Sequence, residues 1–291
     1  VSFADWVEGA RPRTLPAALS PVLAGSGIAW FEGRFSLGMG LLAFGVALAL
    51  QIGVNFANDY SDGIRGTDAD RVGPMRLVGS GAASPAAVKR AAFVCFGIAG
   101  LFGLALVIWS QHWWLLAVGV ACVLAAWFYT GGKHPYGYLG LGELFVFVFF
   151  GLVAVCGTAY VMLDRVPLSA VFAACAIGFL ACMILVTNNL RDIDGDRESG
   201  KRTLATKLGD RGTRIFFGVL IAATAASVVA VALTTTPWAL LGLAFVPVAA
   251  PSALALFRGA RGPALIATLK ATGIAELVCA AGLFAGLILG A

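Results

Sequence analysis

Nine apolar stretches dominate this chain: residues 14–29, 37–56, 86–108, 113–128, 139–162, 168–187, 215–234, 238–257 and 265–289. A helix needs about 20 mostly apolar residues to cross the hydrocarbon of a bilayer. Backbone polar groups in lipid must be satisfied within the segment, so runs of this kind fold as helices. Composition agrees: 60% of the residues are hydrophobic and 12% charged. Soluble domains sit near ~45–50% and ~25%, and a soluble fold of this size could not hide the excess. The sequence therefore predicts an all-α integral membrane protein with nine transmembrane helices, forming a single domain over 1–291. Pro16 and Pro21 interrupt the first stretch, and Thr236-Pro237 is one of the turn signals that separate the others.

Charge gives the chain an orientation. With nine crossings, the N-terminus and every second loop share one face. That face carries 18 of the 20 Lys and Arg residues, leaving Arg34 and Arg165 for the other. Cytoplasmic loops are enriched in Lys and Arg, so the rich face is read as cytoplasmic. The N-terminus is then inside, the C-terminus outside, and the host membrane the plasma membrane. The net charge of +5 is only weak support for a nucleic-acid partner, and none is expected. The six cysteines lie in apolar stretches without a CxxC and read as small core residues. His112 and His134 fall on opposite faces and suggest no zinc site.

Two acidic clusters stand on the basic face. Asn55, Asn58, Asp59, Asp62, Arg65, Asp68, Asp70 and Arg71 follow the second stretch. Asn188, Asn189, Arg191, Asp192, Asp194, Asp196, Arg197 and Glu198 follow the sixth, leading into Lys201 and Arg202. Eight of the fifteen acidic residues lie here. The clusters share a frame: Asn55 and Asp59 are four apart, as are Asn188 and Asp192, with Asp196 four further on. Such residues line one helical face. The repeat, motif one over 55–71 and motif two over 188–202, hints at an internal duplication. Facing carboxylates need a cation between them, and Mg2+ takes carboxylate and phosphate oxygens. Asp59, Asp62, Asp68, Asp192 and Asp196 are the candidate metal ligands. Guanidinium and ammonium groups suit phosphate; Arg65, Arg71, Arg76, Arg191 and Lys201 are candidates, with Asn55, Asn58 and Asn188 beside them. Ionisable groups at a membrane edge are costly and usually functional. A third segment on the same face runs from Tyr129 through Lys133 to Tyr138 and offers another diphosphate contact.

Asn-Asp-x-x-Asp at 58–62, Asp-x-x-x-Asp at 192–196 and Tyr-x-x-x-Lys at 129–133 resemble the UbiA-type intramembrane aromatic prenyltransferase superfamily. Arg11-Pro-Arg13, the run from Asn58 to Asp68, and Tyr129 to Tyr138 are most similar to the branch that prenylates 1,4-dihydroxy-2-naphthoate. The resemblance covers the whole chain. It implies nine helices around a central cavity and two Mg2+ ions held by the aspartates. It also implies a polyprenyl diphosphate donor and a dihydroxynaphthoate acceptor. The polyprenyl group would be transferred with loss of CO2 and diphosphate, toward demethylmenaquinone. On this reading Asp59, Asp62, Asp192, Asp196 and Lys133 are catalytic, and Arg13, Tyr129 and Lys133 meet the acceptor. One position departs from the pattern: Gly66 stands where the family often has a further Asp.

Other readings are a different aromatic acceptor, a CDP-alcohol phosphotransferase, or an anion transporter. The Asp-x-x-Asp-Gly of the phosphotransferases is not continued, since Gly66-Thr67 follows. Transporters gather charge near the midplane, whereas here it collects at one face.

Overall fold

The computed structural model describes residues 2–66 and 75–291. All regular elements among them are helical. A short α1 (Phe3–Gly9) precedes α2 (Pro16–Phe31), α3 (Leu37–Arg65), α4 (Pro85–Ser110) and α5 (Leu115–Phe128). Next come α6 (Gly142–Val146), a π-helical stretch (Phe147–Cys156) and α7 (Gly157–Leu163), together one span. They are followed by α8 (Leu168–Arg191), α9 (Ile193–Glu198), α10 (Leu204–Thr234), α11 (Phe245–Phe257) and α12 (Leu265–Leu289). Local chemistry sets many of the starts. Ser36, Ser84 and Thr203 accept a backbone N–H at the first turns of α3, α4 and α10, as N-caps do.

Seven helical spans are long and apolar enough to cross a membrane. The count reaches eight if α1 and α2, bent by 47°, form one crossing. Every expected stretch coincides with a helix, but the fourth, α5, has only 14 residues. At about 1.5 Å per residue it falls short of a ~30 Å hydrocarbon core. The expected first span also differs. It is entered through a broken helix, because Pro12 and Pro16 punctuate the chain and Arg11 adopts a left-handed conformation with φ 55°.

α8 is the centre of the bundle and packs against α2, α10, α12 and the π-helical stretch. Its contact with the π-helical stretch depends on two glycines. A Cβ on Gly151 would lie 2.6 Å from the Ala174 carbonyl oxygen and 2.8 Å from Gly178 Cα, and small residues allow this kind of approach between membrane helices. The outer helices are different in character. Leu101 is 70% exposed and Val94 61%, which leaves an apolar surface for lipid.

The bundle has two chemically distinct ends. At one end His112 meets Asp164 at 2.9 Å, Arg34 meets Asp164 at 3.2 Å, and Arg165 pairs with Glu32. The chain ends following α3, α5 and α8 meet at the other.

Candidate active site

α3 runs beyond its apolar stretch, so Asn58, Asp59, Asp62 and Arg65 are all helical. Gly66 stops it with φ 71°, a left-handed cap that glycine adopts without strain. This gives the departure from the family pattern a local reason: an aspartate here would be strained. Asp68 and Arg71 lie outside the described residues.

The 129–138 segment folds across the end of α3. The Thr130 hydroxyl donates to Asn58 Oδ1 at 2.8 Å. The Arg65 guanidinium donates to the carbonyls of Thr130 and Gly132, and the Tyr138 phenol donates to Asp62 Oδ1. The second cluster then closes on the first. Arg191 grips both oxygens of Asp192 at 2.7 Å each and Asn188 Oδ1 at 2.8 Å. Lys201 Nζ lies 3.8 Å from Asp196 and 4.0 Å from Asp62, over the face of Tyr138. The Arg202 N–H donates to the Tyr138 carbonyl at 3.0 Å. Two aspartates far apart in sequence thus share one ammonium.

A polar chamber of about 90 Å³ is walled by Asp62, Arg76, Tyr138, Asp192, Asp196 and Lys201, among others. It adjoins an apolar cavity of about 300 Å³. Arg11, Asn58, Tyr129, Leu185 and Asn188 line both and form the junction. One wall of the apolar cavity is an aromatic ladder. Tyr129 packs edge-on to Tyr136, Tyr136 stacks on Phe145 at 4.0 Å, and Phe145 stacks on Phe149. The π-helical stretch turns Phe149, Phe150 and Ala154 toward the same cavity; such bulges are frequent at functional sites. Burial pushes the Tyr129 phenol above its ordinary range, and the nearby acids Glu143, Asp62 and Asp196 add to the shift. Tyr129 is therefore a neutral hydrogen-bond donor.

The expected residues divide into groups. Asp62, Asp192, Asp196, Asn58, Asn188, Arg76, Tyr129 and Lys201 come together in the polar chamber. Arg191 holds Asp192, and Arg65 is occupied with carbonyls. Asn55 lines the apolar cavity but donates to the Ala10 carbonyl at 2.9 Å and Thr14 Oγ1 at 3.0 Å, tying the broken helix to α3. Arg13 and Lys133 are exposed and line neither chamber. Asp59 is fully buried and lines neither. Sequence reasoning did not count Arg11 among the site residues, yet it lines the junction from a left-handed backbone at φ 55°. It also missed the roles of Tyr138 and Tyr136.

Among the described residues no three His, Cys, Asp or Glu side chains form a ready metal cage. That suits Mg2+, which is usually bound by one or two carboxylates together with phosphate oxygens and water. The donor set fits: Asp62 and Asp196 already face a common cation in Lys201.

Residues 18–285 match the UbiA prenyltransferase family. The chain belongs to that family. It is 50% identical to the 1,4-dihydroxy-2-naphthoate octaprenyltransferase of Mycobacterium tuberculosis, over 99% of this chain and 98% of that protein. It is 40% identical to the Escherichia coli protein of the same name, over 74% and 72%. Its fold is similar to a UbiA homolog from Archaeoglobus fulgidus bound to GPP and Mg2+, with a TM-score of 0.70, 16% identity and 98% and 99% coverage. A UbiA homolog from Aeropyrum pernix gives a TM-score of 0.70 at 18% identity, covering 94% and 97%. UbiA membership and the apolar helices together make this a multi-pass membrane protein.

Proposed function

We propose that this UbiA family member transfers a polyprenyl group from a polyprenyl diphosphate to 1,4-dihydroxy-2-naphthoate. The observation that carries the reading is the junction of a small charged chamber with a larger apolar cavity. A polyprenyl diphosphate has that same division, with a charged head and an apolar tail. The acceptor is inferred from the naphthoate enzymes, two of which are 50% and 40% identical to the chain.

Lys201 and Arg76 bind the diphosphate, and Asp62, Asp192 and Asp196 are the residues that would hold Mg2+, as two ions. Magnesium, when bound, stabilises the negative charge that builds on the departing diphosphate. Tyr129 stands at the boundary where the C–O bond breaks. The aromatic ladder keeps water from the allylic carbon and gives the acceptor ring a surface to stack on. Arg11 is the cation placed to meet the acceptor carboxylate. The donor's allylic carbon bonds to the ring carbon bearing that carboxylate. CO2 then leaves and its electron pair restores aromaticity. The product is the prenylated naphthohydroquinone, the reduced form of demethylmenaquinone. Further parts of the reading are nine crossings, with α1–α2 and the short α5 each counting as one, and a plasma-membrane location. The site faces the cytoplasm, on the side rich in Lys and Arg.

The test is incubation of purified protein with Mg2+, a polyprenyl diphosphate and either dihydroxynaphthoate or 4-hydroxybenzoate. Consumption of the naphthoate alone, abolished by chelation and restored by Mg2+, is expected. Preference for 4-hydroxybenzoate would move the chain to another acceptor.

A further inference from the structure

Asp59 carries the family motif together with Asn58 and Asp62, but its side chain is used differently. It is fully buried. Its Oδ2 accepts the Leu77 N–H at 2.8 Å and its Oδ1 accepts the Val78 N–H at 3.0 Å. Three residues along a helix differ by about 60° in direction at ~3.6 residues per turn. That rotation is enough to turn Asp59 away from the chamber Asp62 lines, toward a small core of Phe56, Ala57, Leu77 and Val88. Gly63 makes room for the same turn, since a Cβ there would meet Val78 Cβ at 2.5 Å. The turn is closed on itself by the Ser80 N–H donating to the Arg76 carbonyl at 2.9 Å and the Ala83 N–H to the Leu77 carbonyl at 2.8 Å. Arg76, immediately before Leu77, lines the polar chamber.

We propose that Asp59 is a positioning residue: it anchors the turn after α3 so that Arg76 is presented to the diphosphate, and it does not ligate the metal. The inference rests on the proposed prenyl-diphosphate chemistry. Carboxylate-to-N–H bonds are charge-assisted and well suited to fixing backbone. Asparagine can accept only one of the two N–H groups, so Asp59→Asn loosens the turn with little change of volume.

The test compares wild type with Asp59→Asn, Asp62→Asn, Arg76→Ala and the Asp59→Asn/Arg76→Ala double variant, all as full chains in detergent. Mn2+ titration in the presence of inorganic diphosphate reads the metal site. Asp59→Asn is expected to leave Mn2+ affinity within about twofold, while Asp62→Asn lowers it at least about tenfold. In steady state Asp59→Asn should raise KM for the polyprenyl diphosphate by about tenfold with a smaller change in kcat, and add less than about twofold in the Arg76→Ala background. A fall in Mn2+ affinity equal to that of Asp62→Asn, or independent losses that multiply with Arg76→Ala, would overturn the proposal. A measurement on wild type alone decides it should Asp59→Asn fail to fold. Amide exchange of Leu77 and Val78 should be unchanged when Mg2+ and inorganic diphosphate are added. A metal-ligating Asp59 would release both amides and speed their exchange. If wild type turns over no polyprenyl diphosphate, the functional reading fails, while exchange at Leu77 and Val78 still reports on Asp59.

Discussion

The Lys201 ammonium stands 4.0 Å from Asp62, linking the loop after α9 to the end of α3. Both side chains are largely buried, and Asp196 completes the cluster at 3.8 Å. An unpaired charge in such a place is costly, so the three groups depend on one another. The arrangement makes the two acidic motifs parts of one site.

Lys201→Met should therefore impair turnover. The charge-assisted hydrogen bond that Lys201 would donate to a bound diphosphate is worth about 1.5–3 kcal/mol, or about 10- to 150-fold in kcat/KM for the polyprenyl diphosphate. Lys201→Arg should recover part of the loss. Steady-state kinetics over a range of polyprenyl diphosphate concentrations checks both.

Tyr138 donates to Asp62 and lies beneath Lys201. Tyr138→Phe keeps the ring and removes only the hydroxyl. Leaving an acceptor without its donor costs about 1–3 kcal/mol, so kcat/KM should fall about 5- to 150-fold. Tyr138→Leu, which also removes the ring face, should fall further in the same assay.

Ala125 lines the apolar cavity of about 300 Å³. Ala125→Leu narrows it at a point beyond the diphosphate chamber. Discrimination over a methylene or two in an apolar pocket is about 10–200-fold. A long polyprenyl diphosphate should lose about tenfold or more in kcat/KM while dimethylallyl diphosphate is little affected. Competition between the two donors in one reaction measures the ratio.

Tyr129 gives a pH prediction. Burial first, then the neighbouring acids, raise its phenol above the ordinary value near ~10. The folded protein keeps this proton at pH values where the unfolded chain has released it. Its contribution to stability is therefore complete below about pH 10 and declines as pH rises further. Tyr129→Phe should flatten that decline. Thermal unfolding in detergent between about pH 8 and 11 tests the sign; a steeper decline in the variant would contradict it.

The sequence made the membrane class legible because apolar length is a property of local composition. All nine stretches coincide with helices, and the two acidic clusters come together, but the first cluster reaches the chamber through Asn58 and Asp62 and not through the Asn55 and Asp59 of the shared frame. Finer features depended on tertiary partners. Asp59 and Asp62 share a helical face, but only the position of Leu77 and Val78 determines which one looks into the chamber. Lys133 matched a spacing and lies exposed, while Arg11 was noted within the Arg11-Pro-Arg13 run but not counted among the site residues. The π-helical stretch left no trace in sequence, since Phe147–Cys156 is uniformly apolar and its register is set by packing on α8. Gly66 was visible as a departure, and its φ of 71° supplies the cause.

The most direct test of the bipartite site follows carboxyl-labelled dihydroxynaphthoate in the presence of Mg2+ and a polyprenyl diphosphate. Wild type should release one labelled CO2 for each prenyl group transferred, and Asp62→Asn and Asp196→Asn should each release essentially none while remaining folded. Near-normal CO2 release by either variant would contradict the claim that both motifs act as one site.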